Sequence, residues 1–183
     1  MLMQNLYGKF AKWVGIVALI LVAPLLATLF STEVNWDVSD FLIMGAVLFG
    51  IGVVYELIAG KSDKTVYKAA FAVGLLGAFL LFWVNGAVGI IGNEGQDANL
   101  LYGAVFIVGL IGSLIARFKA RGMFYTLIAA AITQMLAPFA AYIIWTPPTI
   151  SWSPSVFGVF FMSGFFALLF VVSAMLFRRA SKD

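Results

Sequence analysis

The chain has 183 residues, of which 63% are hydrophobic and only 10% are charged. Globular domains average ~45–50% apolar and ~25% charged residues. A mean hydropathy of +1.07 leaves no polar shell to wrap a soluble core, which excludes a soluble enzyme, a disordered chain and a secreted disulfide scaffold. With no Cys and no His, the usual ligands of zinc, haem and iron–sulfur centres are missing, as are the cysteine nucleophile and the imidazole base.

A helix needs ~20 mainly apolar residues to cross a bilayer. Six segments qualify: Trp13–Phe30, Phe41–Gly60, Tyr67–Ile91, Leu100–Ala116, Met123–Trp145 and Val156–Phe177. No connection is long enough to hold a soluble domain, so residues 1–183 read as one all-α transmembrane domain. The first segment reads as a retained span, because Val14 to Phe30 exceeds a signal-peptide core and no clean A-x-A site follows. Pro24 within it predicts a kink.

The first loop reads Glu33-Val-Asn35-Trp36-Asp37-Val-Ser39-Asp40-Phe41, with Ser39 or Asp40 as expected N-cap of span two. Span two offers a small-residue pair, Ala46 with Gly50, and carries Glu56, the only acid inside a predicted span. Glu56 lies one turn from the span's end, where pairing with Lys12, Lys61 or Lys64 competes with a proton or ion role. Span three carries Gly74 and Gly77, then Gly86, Gly89 and Gly92, as a packing side. It ends in Trp83-Val-Asn85-Gly-Ala-Val-Gly-Ile-Ile-Gly92. The loop Asn93-Glu94-Gly-Gln-Asp97-Ala-Asn99 follows, with Asn99 as expected cap of span four, where Gly109 and Ser113 form a second small pair. Span five places Thr133 and Gln134 just before Pro138, where a buried amide serves helix packing or, alternatively, a substrate.

All 11 basic residues fall on one side of this arrangement, together with Glu56, Asp63 and Asp183. The other five acids, Glu33, Asp37, Asp40, Glu94 and Asp97, fall on the opposite side. The positive-inside rule then puts both termini in the cytoplasm, with the helices as three sequential hairpins. The tryptophans agree: Trp13 marks the inner boundary, and Trp36, Trp145 and Trp152 the outer one. The hairpins 1–60, 61–117 and 118–183 also show weak internal likeness, as in Ala23-Pro24-Leu25 and Ala137-Pro138-Phe139. The pI of about 9.3 is explained by anchoring to the cytoplasmic leaflet and implies no nucleic acid.

Oxygen ligands gather on the outer side: Asn35, Trp36, Asp40, Asn85, Glu94, Asp97 and Asn99 form a candidate ligand or cation cluster, with Ca²⁺ as the possible occupant. Neither loop has the spacing of a known calcium loop, and caps together with the charge asymmetry are the competing explanation. The run Trp83-Val-Asn-Gly-Ala-Val-Gly-Ile-Ile-Gly-Asn-Glu94, with Asn99-Leu-Leu-Tyr102, Asn35-Trp36, Asp40-Phe41, Tyr55-Glu56 and Arg121-Gly-Met123, resembles a family of small bacterial multi-pass inner-membrane proteins. The resemblance covers spans two to five and fades in the third hairpin. It implies a bacterial plasma-membrane location and no particular activity.

These features favour a non-catalytic accessory, scaffold or envelope-sensing membrane module, with a membrane-protein partner or a second copy of itself in the bilayer. The alternative is a small oligomeric transporter or channel for cations or protons, with an acidic outer vestibule.

Overall fold

The computed structural model describes residues 2–32 and 34–182, with side chains from residue 8 onward. Six helices follow in order: α1 (Leu2–Phe30), α2 (Val38–Ile58), α3 (Thr65–Ala87), α4 (Gly103–Ile115), α5 (Ala120–Ile144) and α6 (Val156–Ala180). A 3-10 turn over Ala59–Lys61 extends α2, and another over Asp97–Tyr102 leads into α4. No strand occurs among the described residues. All six helices are long and apolar enough to cross a membrane, the fourth only when its lead-in is counted, over Asp97–Ile115. Large apolar side chains lie exposed on every helix, among them Leu19 at 74%, Leu42 at 69% and Phe157 at 79%. Such a surface matches hydrocarbon rather than water. Glu33 and Asp183, two members of the charge map, lie outside the described residues.

The chain forms two compact units, residues 1–61 and 62–183. In the first, α1 and α2 run antiparallel: Leu21 reaches Gly45, and the Trp13 indole lies on Gly52 where a Cβ would collide with the ring. Met44, Leu48 and Gly52, one turn apart on α2, form its buried stripe. Trp13 also meets Tyr55 edge-on at 5.9 Å.

In the second unit α6 packs on both α3 and α5, and α5 also packs on α4. The buried residues Val159, Ser163, Phe166, Phe170, Ser173 and Phe177 recur at alternating spacings of four and three along α6, a single helical face. Against it α3 runs antiparallel, with Tyr67 on Phe177 (5.1 Å between rings), the Ser173 hydroxyl donating to the Ala70 carbonyl (2.6 Å), and Gly77 beneath Leu169 and Phe170. The principal partner of α3 is therefore α6, and that of α4 is α5, whereas the sequence reading joins α3 and α4 as the middle hairpin. The 15-residue stretch 88–102 separates the two helices along the chain and carries the 3-10 turn over Asp97–Tyr102.

Several boundaries and contacts differ from expectation. Span three stops at Ala87 rather than Ile91, because Gly89 and Gly92 adopt φ of +73° and +72° and turn the chain. Gly50 and Gly109 have no atom within 4 Å of where a Cβ would stand, so neither makes a close approach within the described chain. Tight approaches fall at Gly74 and Gly77, the packing side expected of span three, against Ser173 and Leu169 of α6, and also at Gly52 under Trp13 and Gly112 under Thr126.

Within the second unit, the Lys64 ammonium donates to the Ala180 carbonyl (3.1 Å), Tyr67 to the Phe118 carbonyl (2.6 Å), and Arg178 lies over the Phe124 ring (5.8 Å). One end of the four-helix unit thus gathers Lys64, Lys68, Arg117, Lys119, Arg121, Arg178, Arg179 and Lys182. The opposite end holds the stretch 88–102 and the connection 145–155.

Candidate functional site

The polar residues singled out in the sequence fall into four separate settings. Asp37 and Asp40 act locally. Asp37 caps α2 by accepting the Asp40 amide at 3.0 Å, and Asp40 reciprocates by accepting the Asp37 amide at 2.8 Å. This capping box corrects the expected cap, which was Ser39 or Asp40. The Ser39 hydroxyl also donates to Asp37, and that bond, with the Asp40 amide, holds the Asp37 carboxyl below its usual range. Trp36 meets Phe41 edge-on at 5.2 Å, its amide 3.4 Å from the Thr28 hydroxyl, and Asn35 is exposed.

Asn99 does more than cap a helix. Where α3 ends, the chain leaves two amides, those of Ile90 and Ile91, without helical carbonyls. The Asn99 side-chain oxygen accepts both, at 3.0 and 2.9 Å. Its nitrogen donates to the carbonyls of Ile91 (3.1 Å) and Asn93 (2.6 Å). One amide thus makes four bonds, its full capacity, with its residue only 4% exposed. Asn85 donates to the Asn99 carbonyl at 3.2 Å. Gln96, a residue the sequence reading passed over, donates to the Ile91 carbonyl (3.2 Å) and the Ser151 carbonyl (3.0 Å), tying the loop to the connection between α5 and α6. Gly92 donates to the Ser153 carbonyl at 3.2 Å.

Glu94 and Asp97, the acids of that loop, lie exposed beside this knot. Among the described residues no group of three acidic side chains comes close enough to hold a metal ion. In the second loop the residues read as one cluster are of two kinds: amides that bind backbone, Asn99 buried and Asn85 half-buried, and exposed carboxylates.

Glu56 pairs with Lys9 at 3.2 Å and accepts the Trp13 indole N–H at 3.2 Å. Its partner is Lys9 rather than Lys12, Lys61 or Lys64, because the antiparallel register of α1 and α2 sets Lys9 opposite it. Lys12 instead lies over the Trp13 ring at 5.7 Å.

Gln134 is fully buried in α5, and neither its side-chain nitrogen nor its oxygen has a hydrogen-bond partner among the described residues. Buried hydroxyls missed in the sequence surround the same helix bundle: Tyr102 and Ser163 are hydrogen-bonded at 2.7 Å, and Ser173 bonds to α3. The alternating four-and-three spacing of Ser163 and Ser173 with the apolar face of α6 is the signal that places both inside.

Compared with known proteins, the chain matches no family model, no curated protein and no solved structure.

Proposed function

We propose that the protein is a non-catalytic accessory, scaffold or envelope-sensing module of a bacterial inner membrane, with both termini in the cytoplasm. The observation that carries this reading is where the polar side chains of residues 62–183 are spent. Tyr67, Tyr102, Ser173, Asn99 and Gln96 all bond to other elements of the same unit, so their polarity holds helices and loops in place. The gathering of eight basic residues at one end of that unit supports the orientation under the positive-inside rule. The bacterial setting rests on the resemblance in the stretch Trp83–Glu94.

A second reading, a small oligomeric transporter or channel for cations or protons, is favoured by one observation: the unpaired amide of Gln134 deep in α5. Liposome flux separates the two. Purified protein in proteoliposomes is expected to pass protons, K⁺ and Ca²⁺ no faster than empty vesicles, while the protein in native lipid particles runs as a stoichiometric complex. Flux above background, or a lone monomer under gentle extraction, overturns the module reading. Orientation is tested separately: because the chain has no Cys, single replacements Gly95→Cys and Ser181→Cys report sidedness cleanly. An impermeant maleimide should label only the former in intact cells.

A further inference from the structure

Three buried polar side chains lie on neighbouring elements of the four-helix unit, and their hydrogen-bonding capacities are complementary. Gln134 is 0% exposed, with its Nε2 and Oε1 both unpartnered among the described residues. Pro138, four residues on, lacks the N–H that would pair with the Gln134 backbone carbonyl in a regular helix. The same residue therefore carries an unused side-chain donor, an unused side-chain acceptor and a main-chain carbonyl deprived of its helical donor.

Tyr102 and Ser163, each also 0% exposed, share one hydrogen bond of 2.7 Å. Two hydroxyls bring two protons, and the bond between them uses one. The other has no acceptor among the described residues. Register places this pair near Gln134. Helices α5 and α6 are antiparallel neighbours, with Phe139 and Phe160 in ring contact at 4.7 Å. Three residues further along α6, Ser163 is level with position 136 of α5. Gln134 is thus about 3 Å away along the axis, at 1.5 Å rise per residue. The 3-10 turn bearing Tyr102 packs against α5 as well. The residues around Gln134 on its buried face are small: Ala130, Ala131, Ala137 and Ala141.

We infer that a water molecule is held inside the four-helix unit between Gln134 and the Tyr102–Ser163 pair. It accepts the spare hydroxyl proton or the Gln134 amide proton, and donates to Gln134 Oε1 and the carbonyl freed by Pro138. A water needs two to four polar partners, and this arrangement offers that number. A buried amide left without any partner in hydrocarbon is strongly unfavourable, and the bridging water removes that penalty.

The test uses the whole protein in lipid nanodiscs. The sequence has three glutamines, Gln4, Gln96 and Gln134, so selective side-chain ¹⁵N labelling gives three amide pairs, assigned with Gln134→Met and Gln96→Asn. In water-edited NMR the Gln134 amide should receive magnetisation from water although it is sealed from solvent. No transfer to Gln134 while Gln96 builds up fully overturns the inference. Thermal unfolding gives an independent reading through its sign. The near-isosteric Gln134→Met should lower Tm by a few degrees if a bridged network is lost; a rise in Tm, the signature of relieving an unpaired buried amide, overturns it. Finally, Gln134→Met and Ser163→Ala combined should cost less than the sum of their separate Tm losses, because either one breaks the same bridge. Strictly additive losses show the two sites to be independent and overturn the bridge.

Discussion

The connection between α1 and α2 and the one between α3 and α4 look alike in sequence, each bringing Asp, Asn and Glu together in a few residues, 33–40 in one and 93–99 in the other. They are built on opposite principles. In the first, charged groups serve each other at the surface: Asp37 and Asp40 exchange backbone bonds in an exposed capping box. In the second, the carboxylates stand aside and a neutral amide does the work, Asn99 satisfying two amides and two carbonyls while nearly sealed from solvent. A carboxylate can afford the first setting, where water solvates its remaining lone pairs. It could not replace Asn99, because it has no N–H to give the Ile91 and Asn93 carbonyls and its charge would be desolvated.

The largest effect should follow from removing that amide. Asn99→Ala leaves the Ile90 and Ile91 amides without an acceptor, while the Ile91 and Asn93 carbonyls keep the Gln96 side-chain and main-chain N–H; each buried unpaired group costs about 1–3 kcal/mol. With partial relaxation the expected loss is about 2–4 kcal/mol, read as the Tm of tryptophan-detected unfolding. Asn99→Asp keeps the two acceptor contacts and loses both donor contacts. Either variant unfolding like the parent would mean that the loop holds itself without Asn99, and the contrast between the two connections would collapse.

Next in size is Gly92→Ala. Its φ of +72° costs an L-residue roughly 1–2 kcal/mol, and the new methyl group would fall on the Gln96 side-chain nitrogen that ties the loop to Ser151. The loss should therefore be greater than for Gly95→Ala, whose Cβ has only Asn93 Oδ1 nearby at 3.4 Å. Equal losses at both positions would show that the tether through Gln96 adds nothing.

How much of this was legible in the sequence differs by residue. The six spans were readable because hydrophobic length is a one-dimensional property, and the α1–α2 pairing followed from a short connection. Glu56 was rightly seen as a residue near a helix end with a lysine for company. Which lysine depends on the register of two helices, and hydropathy carries no register. Asn99 stands out in the sequence as a cap or a cation ligand, because its true partners, Ile90 and Ile91, read there as part of a continuing helix. The two positive-φ glycines at 89 and 92 were the available signal that the helix had ended. They were read instead as a packing stripe, since small residues in a membrane helix serve either purpose. Gln96 was invisible for a different reason: its partner Ser151 lies 55 positions away, on a connection with no motif of its own.

The capping box offers a smaller effect with a definite pH signature. Asp37 is held below the usual carboxylate range by the Ser39 hydroxyl and the Asp40 amide. A depressed folded-state pKa contributes stability that is present above the unfolded pKa. That stability is lost as pH falls through the carboxylate range toward the folded value. Asp37→Asn keeps a good N-cap while removing the titration. The variant should match the parent closely under acid conditions and fall slightly below it near neutrality, giving a flatter plot of Tm against pH. Identical slopes would mean that the exposed box contributes nothing through its charge, and only its cap geometry would remain.

The smallest effect is expected at the two carboxylates beside the Asn99 knot. Glu94 and Asp97 are exposed, and among the described residues no three acids approach closely enough to enclose an ion. If buried amides alone order this loop, Glu94→Gln and Asp97→Asn should leave Tm unchanged within error, and Ca²⁺ at constant ionic strength should stabilise parent and variants equally. A ligand at ~100 times its dissociation constant stabilises a protein by about 2.7 kcal/mol, so a bound cation would be hard to miss. A Ca²⁺-specific rise in Tm that disappears in Glu94→Gln would reverse the assignment. The carboxylates would then be ligands, the amide knot their platform, and the loop after α3 a cation sensor on the face opposite the basic residues.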